Sequence, residues 1–347
     1  MKVNGRMRPT RLAWLFTLAA TMALLLAMVG PSGAGANGKG SAANKPEQAD
    51  KPNQANCARG RTVPTNKISI QLWTFSRYLS GNLNSYTTVP SDAPTTGSTA
   101  AERLEYVLSY LSELGFRNIE PYSFHGLTAE QFNALVDEYG LKVPSRHMST
   151  NEATWAANLA DASLLGQRYT GSGGFAAPGI TSYENVLATA ETLNRLGQAS
   201  VENGTGKVFG HNHRVEFTTR YVDPETGELK SAWQLLVENT DPRYVTFQLD
   251  VGWATVAGED AVALVEEFGD RIELLHVKDA IVTVPGSGSG AVFEQTTIGQ
   301  GDVDWASLFD AAQGDVKLYV IEMDPRADWD PFAFARDSFQ YVDCLVF

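Results

Sequence analysis

Histidine is scarce in this 347-residue sequence, with five copies, and each falls at or just past the end of a β-rich run. His125 follows one run, His147 ends another, His211 and His213 close a third, and His276 closes a fourth. Carboxylates share the habit: Glu120, Asp250 and Glu322 end runs of their own, and Glu216 lies just past His213. Side chains alternate faces along a strand, so Gln248 shares a face with Asp250, His211 with His213, and His276 with Lys278. Leu318, Val320 and Glu322 are also in phase, apolar until the last position. Two or three carboxylates with one imidazole suit a single divalent cation of intermediate hardness: Mn²⁺, Mg²⁺, Co²⁺ or Zn²⁺. Such an ion polarises neighbouring hydroxyl and carbonyl oxygens and acidifies the carbon-bound proton between them. A carboxylate or imidazole can then remove that proton, and a second group can return it. Any one of these residues alone would be an ordinary rim side chain. Their joint position is what points to a site.

The elements that must position them alternate. β-rich runs occupy 68–73, 117–120, 142–147, 168–171, 207–211, 244–250, 272–277 and 317–322. Amphipathic stretches at 101–114, 129–139, 152–165, 183–202, 232–238, 260–268 and 305–312 separate them, and 331–342 follows the last. Within 101–114, Leu104, Val107, Leu108, Leu111 and Leu114 recur at helical spacing and make one apolar face. Eight βα units predict an α/β fold, a single (β/α)8 TIM barrel, which typically takes ~250 residues. A doubly wound open sheet is the alternative, but its usual glycine-rich turn is missing after Trp73. In a barrel the C-terminal strand ends carry the chemistry, which is where the rare polar residues fall.

Ahead of the barrel lie two segments of other composition. Lys2, Arg6, Arg8 and Arg11 precede an apolar run over 12–29, and Ala34-Gly35-Ala36 offers a small-x-small cleavage pattern. Residues 1–36 therefore predict a secretory signal peptide, with an uncleaved membrane anchor as the alternative. Residues 37–66 are mostly small, polar or Pro, a composition that predicts a disordered leader before a barrel over 67–347. No later apolar run approaches spanning length. The two cysteines, Cys57 and Cys344, flank the barrel; outside the cytoplasm they are placed to pair, the alternative being two free thiols. Net charge is −13, and removing the first 36 residues, with four basic and no acidic side chains, makes it −17. A body that acidic repels phosphate backbones and argues against nucleic-acid partners, barrel endonucleases included.

The runs His211-Asn212-His213-Arg214-Val215-Glu216-Phe217, Phe247-Gln248-Leu249-Asp250-Val251-Gly252-Trp253 and Leu275-His276-Val277-Lys278-Asp279 resemble the sugar phosphate isomerase/epimerase family of xylose-isomerase-like barrels. So do the runs from Ile298 to Trp305 and from Tyr319 to Glu322. The resemblance implies one divalent metal held by carboxylates and a histidine from the fifth to eighth strands: Glu216, Asp250, His276 and Glu322. Many relatives place a glutamate where this chain has His211, so Glu216 is expected to supply that carboxylate from the loop, leaving His211 to the substrate. The alternative gives the ligand position to His211 itself. Glu322 with Glu216 or His213 is the expected acid/base pair, and Lys278 balances charge on the substrate oxygen or makes a salt bridge. Glu120, His147 and Gln248 are expected to orient hydroxyls, with Trp73 and Trp253 walling the pocket.

The expected activity is a secreted isomerase or epimerase acting through an enediolate on a free sugar or polyol-like molecule. A secreted protein has no ready supply of sugar phosphates, so the phosphate of the family name is not carried over. The alternatives are a metal-dependent lyase or dehydratase on a keto-sugar or glycoside derivative, and a non-catalytic carbohydrate-binding barrel.

Overall fold

The structure, a computed structural model, describes Cys57 and residues 59–82, 89–286 and 290–347. The expected signal peptide and most of the leader lie outside these residues. Among the described residues twelve strands follow one another: β1 (Ile68–Gln71), β2 (Asn118–Glu120), β3 (Ser145–His147), β4 (Tyr169–Gly171), β5 (Lys207–His211), β6 (Arg220–Val222), β7 (Leu229–Ser231), β8 (Val245–Asp250), β9 (Ile272–Val277), β10 (Asp279–Val284), β11 (Val292–Thr296) and β12 (Leu318–Ile321). Eight form one parallel sheet in the order β2-β1-β12-β9-β8-β5-β4-β3. A parallel bridge from Asn118 to Lys142 joins its two edges, so the sheet closes into the expected (β/α)8 barrel. β6 with β7, and β10 with β11, are antiparallel hairpins outside it.

The helices are α1 (Ser76–Leu79), α2 (Ala100–Leu114), α3 (Ala129–Glu138), α4 (Trp155–Leu164), α5 (Tyr183–Glu202), α6 (Val215–Thr218), α7 (Ala232–Glu238), α8 (Val251–Ala257), α9 (Ala261–Phe268), α10 (Trp305–Ala311) and α11 (Pro331–Cys344). Their starts are written in the sequence. Thr99 and Thr128 cap α2 and α3 in capping boxes with Glu102 and Gln131, and Asp330 caps α11 ahead of Pro331.

Strand alternation splits the core in two. Outward residues such as Ile70, Ile119, Leu249, Leu275 and Ile321 join the helix faces in one large cluster. Inside the barrel a small cluster of Tyr169, Phe209, Leu274, Leu318 and Val320 fills the lower layers. One or two positions further along the same inward faces, the residues become Gln71, Glu120, His147, His211, Gln248, Asp250 and His276. The barrel is apolar below and ionisable at its C-terminal mouth.

The packed body begins ahead of Lys67, where the leader was expected to end. Val63 is buried, Thr65 Oγ1 donates to Asp343 Oδ1 at 2.7 Å, and Phe347 N donates to the Arg61 carbonyl at 3.0 Å. Cys57 and Cys344 are joined in a disulfide with Cα atoms 4.9 Å apart, as their positions predicted. No helix among the described residues is long and apolar enough to cross a membrane.

Candidate active site at the C-terminal mouth

Strand register sets the site. His211 ends β5 opposite Gln248, and Asp250 ends β8 opposite His276, so neighbouring strands deliver adjacent donors. His211, Asp250, His276 and Glu322 each bring a ligand atom into one group whose atoms lie within 4.8 Å of one another, and all four residues are buried. His276 Nδ1 is 2.9 Å from Glu322 Oε2 and 3.9 Å from Asp250 Oδ2, and His211 Nε2 is 3.9 Å from that same oxygen.

Glu216 does not join them. It lies in the first turn of α6, where its Oε2 accepts from the His213 backbone N–H at 2.8 Å. The residue that strand five brings into the group is His211. The reason is geometric: His211 is the last residue of the strand, in phase with Phe209 inside the barrel, whereas Glu216 is carried past the mouth by a turn.

Beneath the group, Glu120 and Gln248 orient the imidazoles. Both are fully buried and lie below the cavity lining. Gln248 Oε1 faces His147 Nε2 at 2.8 Å and His211 Nδ1 at 3.0 Å, while its Nε2 donates to Glu120 Oε2 at 2.8 Å. An amide oxygen only accepts, so both imidazoles donate to it. His211 is thereby left with a bare Nε2 toward Asp250, the tautomer a metal ligand requires. Glu120 Oε1 accepts from Gln71 Nε2 at 2.9 Å and from His276 Nε2 at 2.8 Å, which turns His276 Nδ1 toward Asp250 and Glu322.

Charge in the cluster is dense. Burial alone would raise the Glu120 carboxyl, but the imidazoles of His147 and His276 hold it well below the usual range. Burial would lower His276; Glu322 and Glu120 on either side push it up to about 10. Burial and the charges of His276 and His147 keep His211 neutral, well below its ordinary value. Burial raises Asp250, against the pull of Lys278. Lys278 Nζ lies 3.1 Å from Asp250 Oδ2, 2.9 Å from Glu322 Oε2 and 3.0 Å from Asp324 Oδ2. Lys278 thus makes salt bridges to these three carboxylates. Asp279 is engaged elsewhere: its carboxylate accepts from the backbone of Gly299 and Gly301 and from Trp305 Nε1, and a Cβ on Gly301 would come within 2.1 Å of it. Gly252 in turn leaves room for the Lys278 stem, which a Cβ there would meet at 2.8 Å.

A cavity of about 530 Å³ opens above the cluster, lined by Trp73, Tyr122, His147, His211, His213, Lys278, Glu322 and Asp324 among others. Trp73 is 39% exposed and meets Tyr122 edge to face at 5.1 Å, so these two rings make one wall aromatic, while Trp253 is not in the lining. Trp253 stands behind Lys278, whose Nζ is 5.2 Å from its ring centroid. His125 stays apart, packed on Tyr122 and pushed down to about 4 by burial and then by the charge of Arg103. Sequence reasoning missed Asp324 and Gln295. Gln295 Nε2 donates to Asp324 Oδ2 at 2.8 Å and so ties the β10–β11 hairpin to the lysine. Asp324 lies past the last strand, beyond the reach of strand parity.

The donor set has the chemistry of a divalent-metal site. Glu120, Asp250, Glu322 and Asp324 bring four carboxylates against Lys278 and the His276 imidazole. Asp250 Oδ2 is buried with no hydrogen bond; its contact with Lys278 is an ion pair without hydrogen-bond geometry. A buried carboxylate oxygen that accepts no hydrogen bond, beside two imidazoles, is a position a further cation would stabilise.

Comparison with known proteins follows the same lines. An inosose dehydratase from Geobacillus thermodenitrificans is 30% identical over 166 residues, 43% of this chain and 51% of that protein. The chain thus spans about half the length of the curated relatives it matches. A sugar phosphate isomerase/epimerase from Parabacteroides distasonis shares the fold with a TM-score of 0.61 at 21% identity, over 79% of this chain and 96% of that one. A Mycobacterium smegmatis xylose isomerase-like TIM barrel protein, in complex with magnesium, does so at 0.56 and 16%, over 81% and 97%. A family model matches residues 108–331, most of the closed barrel and both strand-end motifs on β8 and β9, and the chain belongs to the family it describes, the xylose isomerase-like TIM barrels.

Proposed function

We propose that the chain is a metal-dependent enzyme that removes a proton from the carbon beside a carbonyl of a free sugar or polyol-like substrate and returns it, as an isomerase or epimerase. The observation that carries this reading is the buried His211–Asp250–His276–Glu322 group, open to a cavity with an aromatic wall. These four residues would hold one divalent ion, Mn²⁺, Mg²⁺, Co²⁺ or Zn²⁺, and the fold neighbour with magnesium is consistent with that. Such an ion supplies Lewis acidity to the carbonyl and hydroxyl oxygens of the substrate.

The chain's own residues do the rest. Lys278 holds a cation beside Glu322 and Asp250, where negative charge on a substrate oxygen would be offset. His213 lines the cavity with an imidazole pushed below its ordinary value by burial, a neutral base able to take the carbon-bound proton. Glu322, at the lip of the cavity, is the partner that exchanges a proton on the other side. Trp73 offers a face for the apolar side of a sugar ring. A second reading, dehydration, is favoured by the inosose dehydratase relatives: the same proton removal ends in loss of a β-hydroxyl instead of reprotonation.

We also propose that the protein works outside the cytoplasm. The apolar run over 12–29 with its cleavage pattern supports this, and so does the Cys57–Cys344 disulfide.

The test is incubation with free sugars, keto-sugars and cyclitol ketones in D₂O with Mn²⁺, read by NMR and mass. Deuterium at carbon without loss of water supports the isomerase; loss of water supports the dehydratase. Asp250→Asn and His211→Ala should each lose bound metal and exchange together, whereas Glu216→Gln should keep its metal. Wild-type protein that binds no divalent ion and exchanges nothing would leave a carbohydrate-binding barrel.

A further inference from the structure

The opposite mouth of the barrel carries a pattern that the site above does not use. Every barrel strand has a cation at its first residue or within three residues ahead of it. Lys67, Arg117, Arg168, Arg271 and Lys317 immediately precede β1, β2, β4, β9 and β12; Lys207 opens β5; Arg243 and Lys142 stand two and three residues before β8 and β3. These eight come from only 27 Lys and Arg in a chain of net charge −13.

Part of the ring has a structural reason. The (β/α)8 topology brings helix C-termini to this mouth, with unpaired carbonyls and the negative end of the helix dipole. Lys67 Nζ donates to the Val316 carbonyl at 2.9 Å and Arg117 to its neighbour Phe116 at 3.1 Å; Lys317 reaches the Gly314 carbonyl and Arg271 that of Val237. Lys207 and Arg243 have carboxylate partners in Glu273 and Asp241.

Carbonyl bonds leave the charge itself unbalanced. Lys67, Arg117, Lys142, Arg168 and Lys317 line one cleft of about 910 Å³, and none of them makes an ion pair among the described residues. Asp137 is the one carboxylate side chain in the lining, against five cations. Burial first, and then the charge of Lys317, pull the Lys67 ammonium below its ordinary value. The volume suits a small molecule, and the acidity of the chain as a whole disfavours a nucleic acid.

We propose that this cleft binds a small polyanion, a molecule with two or more phosphate or carboxylate groups, at the end of the barrel opposite the candidate active site. Lys142 and Arg168, exposed and without a structural bond to the main chain, would meet it together with Arg117. The proposal is independent of the reaction at the other mouth.

The test is calorimetric titration of the full chain at low ionic strength with tripolyphosphate and, in parallel, with citrate, against NaCl at matched ionic strength. Saturable binding of one equivalent is expected, and whichever probe binds tighter identifies phosphate or carboxylate as the preferred group. Arg117→Ser with Arg168→Ser should weaken it at least tenfold while circular dichroism stays unchanged. Arg195→Ser, on an outer helix, should leave it intact. Should the double variant fold poorly, Lys142→Glu reads the same loss with a single exposed change. Absence of saturable binding by either probe, or equal binding in the cleft variants, overturns the proposal.

Discussion

Glu216 shows how far a residue type can mislead when its backbone address is ignored. A third carboxylate beside a histidine pair suggests a ligand, but in the structure it is a buried side chain turned to the His213 amide. Parity on β5 offered the better guide: Phe209 packs inside the barrel, so His211, two residues on, faces the same way. Burial raises the Glu216 carboxyl from 4.5 to about 6, against the hydrogen bond from His213. A raised folded-state value means the fold prefers the protonated form. Its contribution is intact below the unfolded value, near pH 4.5, and is lost as pH rises through 6. Glutamine in its place keeps the acceptor without the charge. Each tenfold change in proton affinity between the folded and unfolded chain is worth ~1.4 kcal/mol. Urea unfolding should therefore find Glu216→Gln close to wild type at pH 4.5 and more stable by about 2 kcal/mol at pH 7. A constant difference across that range would mean the carboxyl does not titrate there.

At the scale of elements, the eight strands and their following helices were legible because both signals are local: β-rich runs, helical periodicity and capping residues such as Thr99 and Thr128. The hairpins were not. β6–β7 spans residues 220–231, between two regular runs, and β10 follows β9 after Lys278 alone, with no turn residue to announce a second strand. Yet β10–β11 matters to the site. Gln295 donates to Asp324 Oδ2 and accepts from the Asp324 amide at 2.9 Å, and Phe293 meets Trp253 edge to face at 5.4 Å. Gln295→Ala removes both hydrogen bonds, each worth about 1 kcal/mol. The melting temperature should fall by a few degrees, and turnover should fall with metal content unchanged, because Asp324 loses its anchor while the four donors keep theirs. Loss of metal in this variant would show that the hairpin supports the donors themselves.

For the whole molecule, closure of the sheet brings the first and last strands side by side, β1 pairing with β12 over Ile68–Tyr319 to Ile70–Ile321. The two ends of the described body meet for the same reason, and the Cys57–Cys344 disulfide joins them across 287 residues of sequence. In the loop-entropy description a bridge of that span stabilises the fold by about 6 kcal/mol, mostly by restricting the unfolded chain. Cys57→Ser with Cys344→Ser should lower denaturant stability by several kcal/mol under oxidising conditions while leaving metal content unchanged. Equal midpoints would show the barrel closes as firmly without the bridge. The same bond changes what damage means to this protein. Between the cysteines the polypeptide is a covalent circle, so a single cut at an exposed loop opens the ring without releasing a fragment. Two cuts are needed before any piece of the barrel can leave.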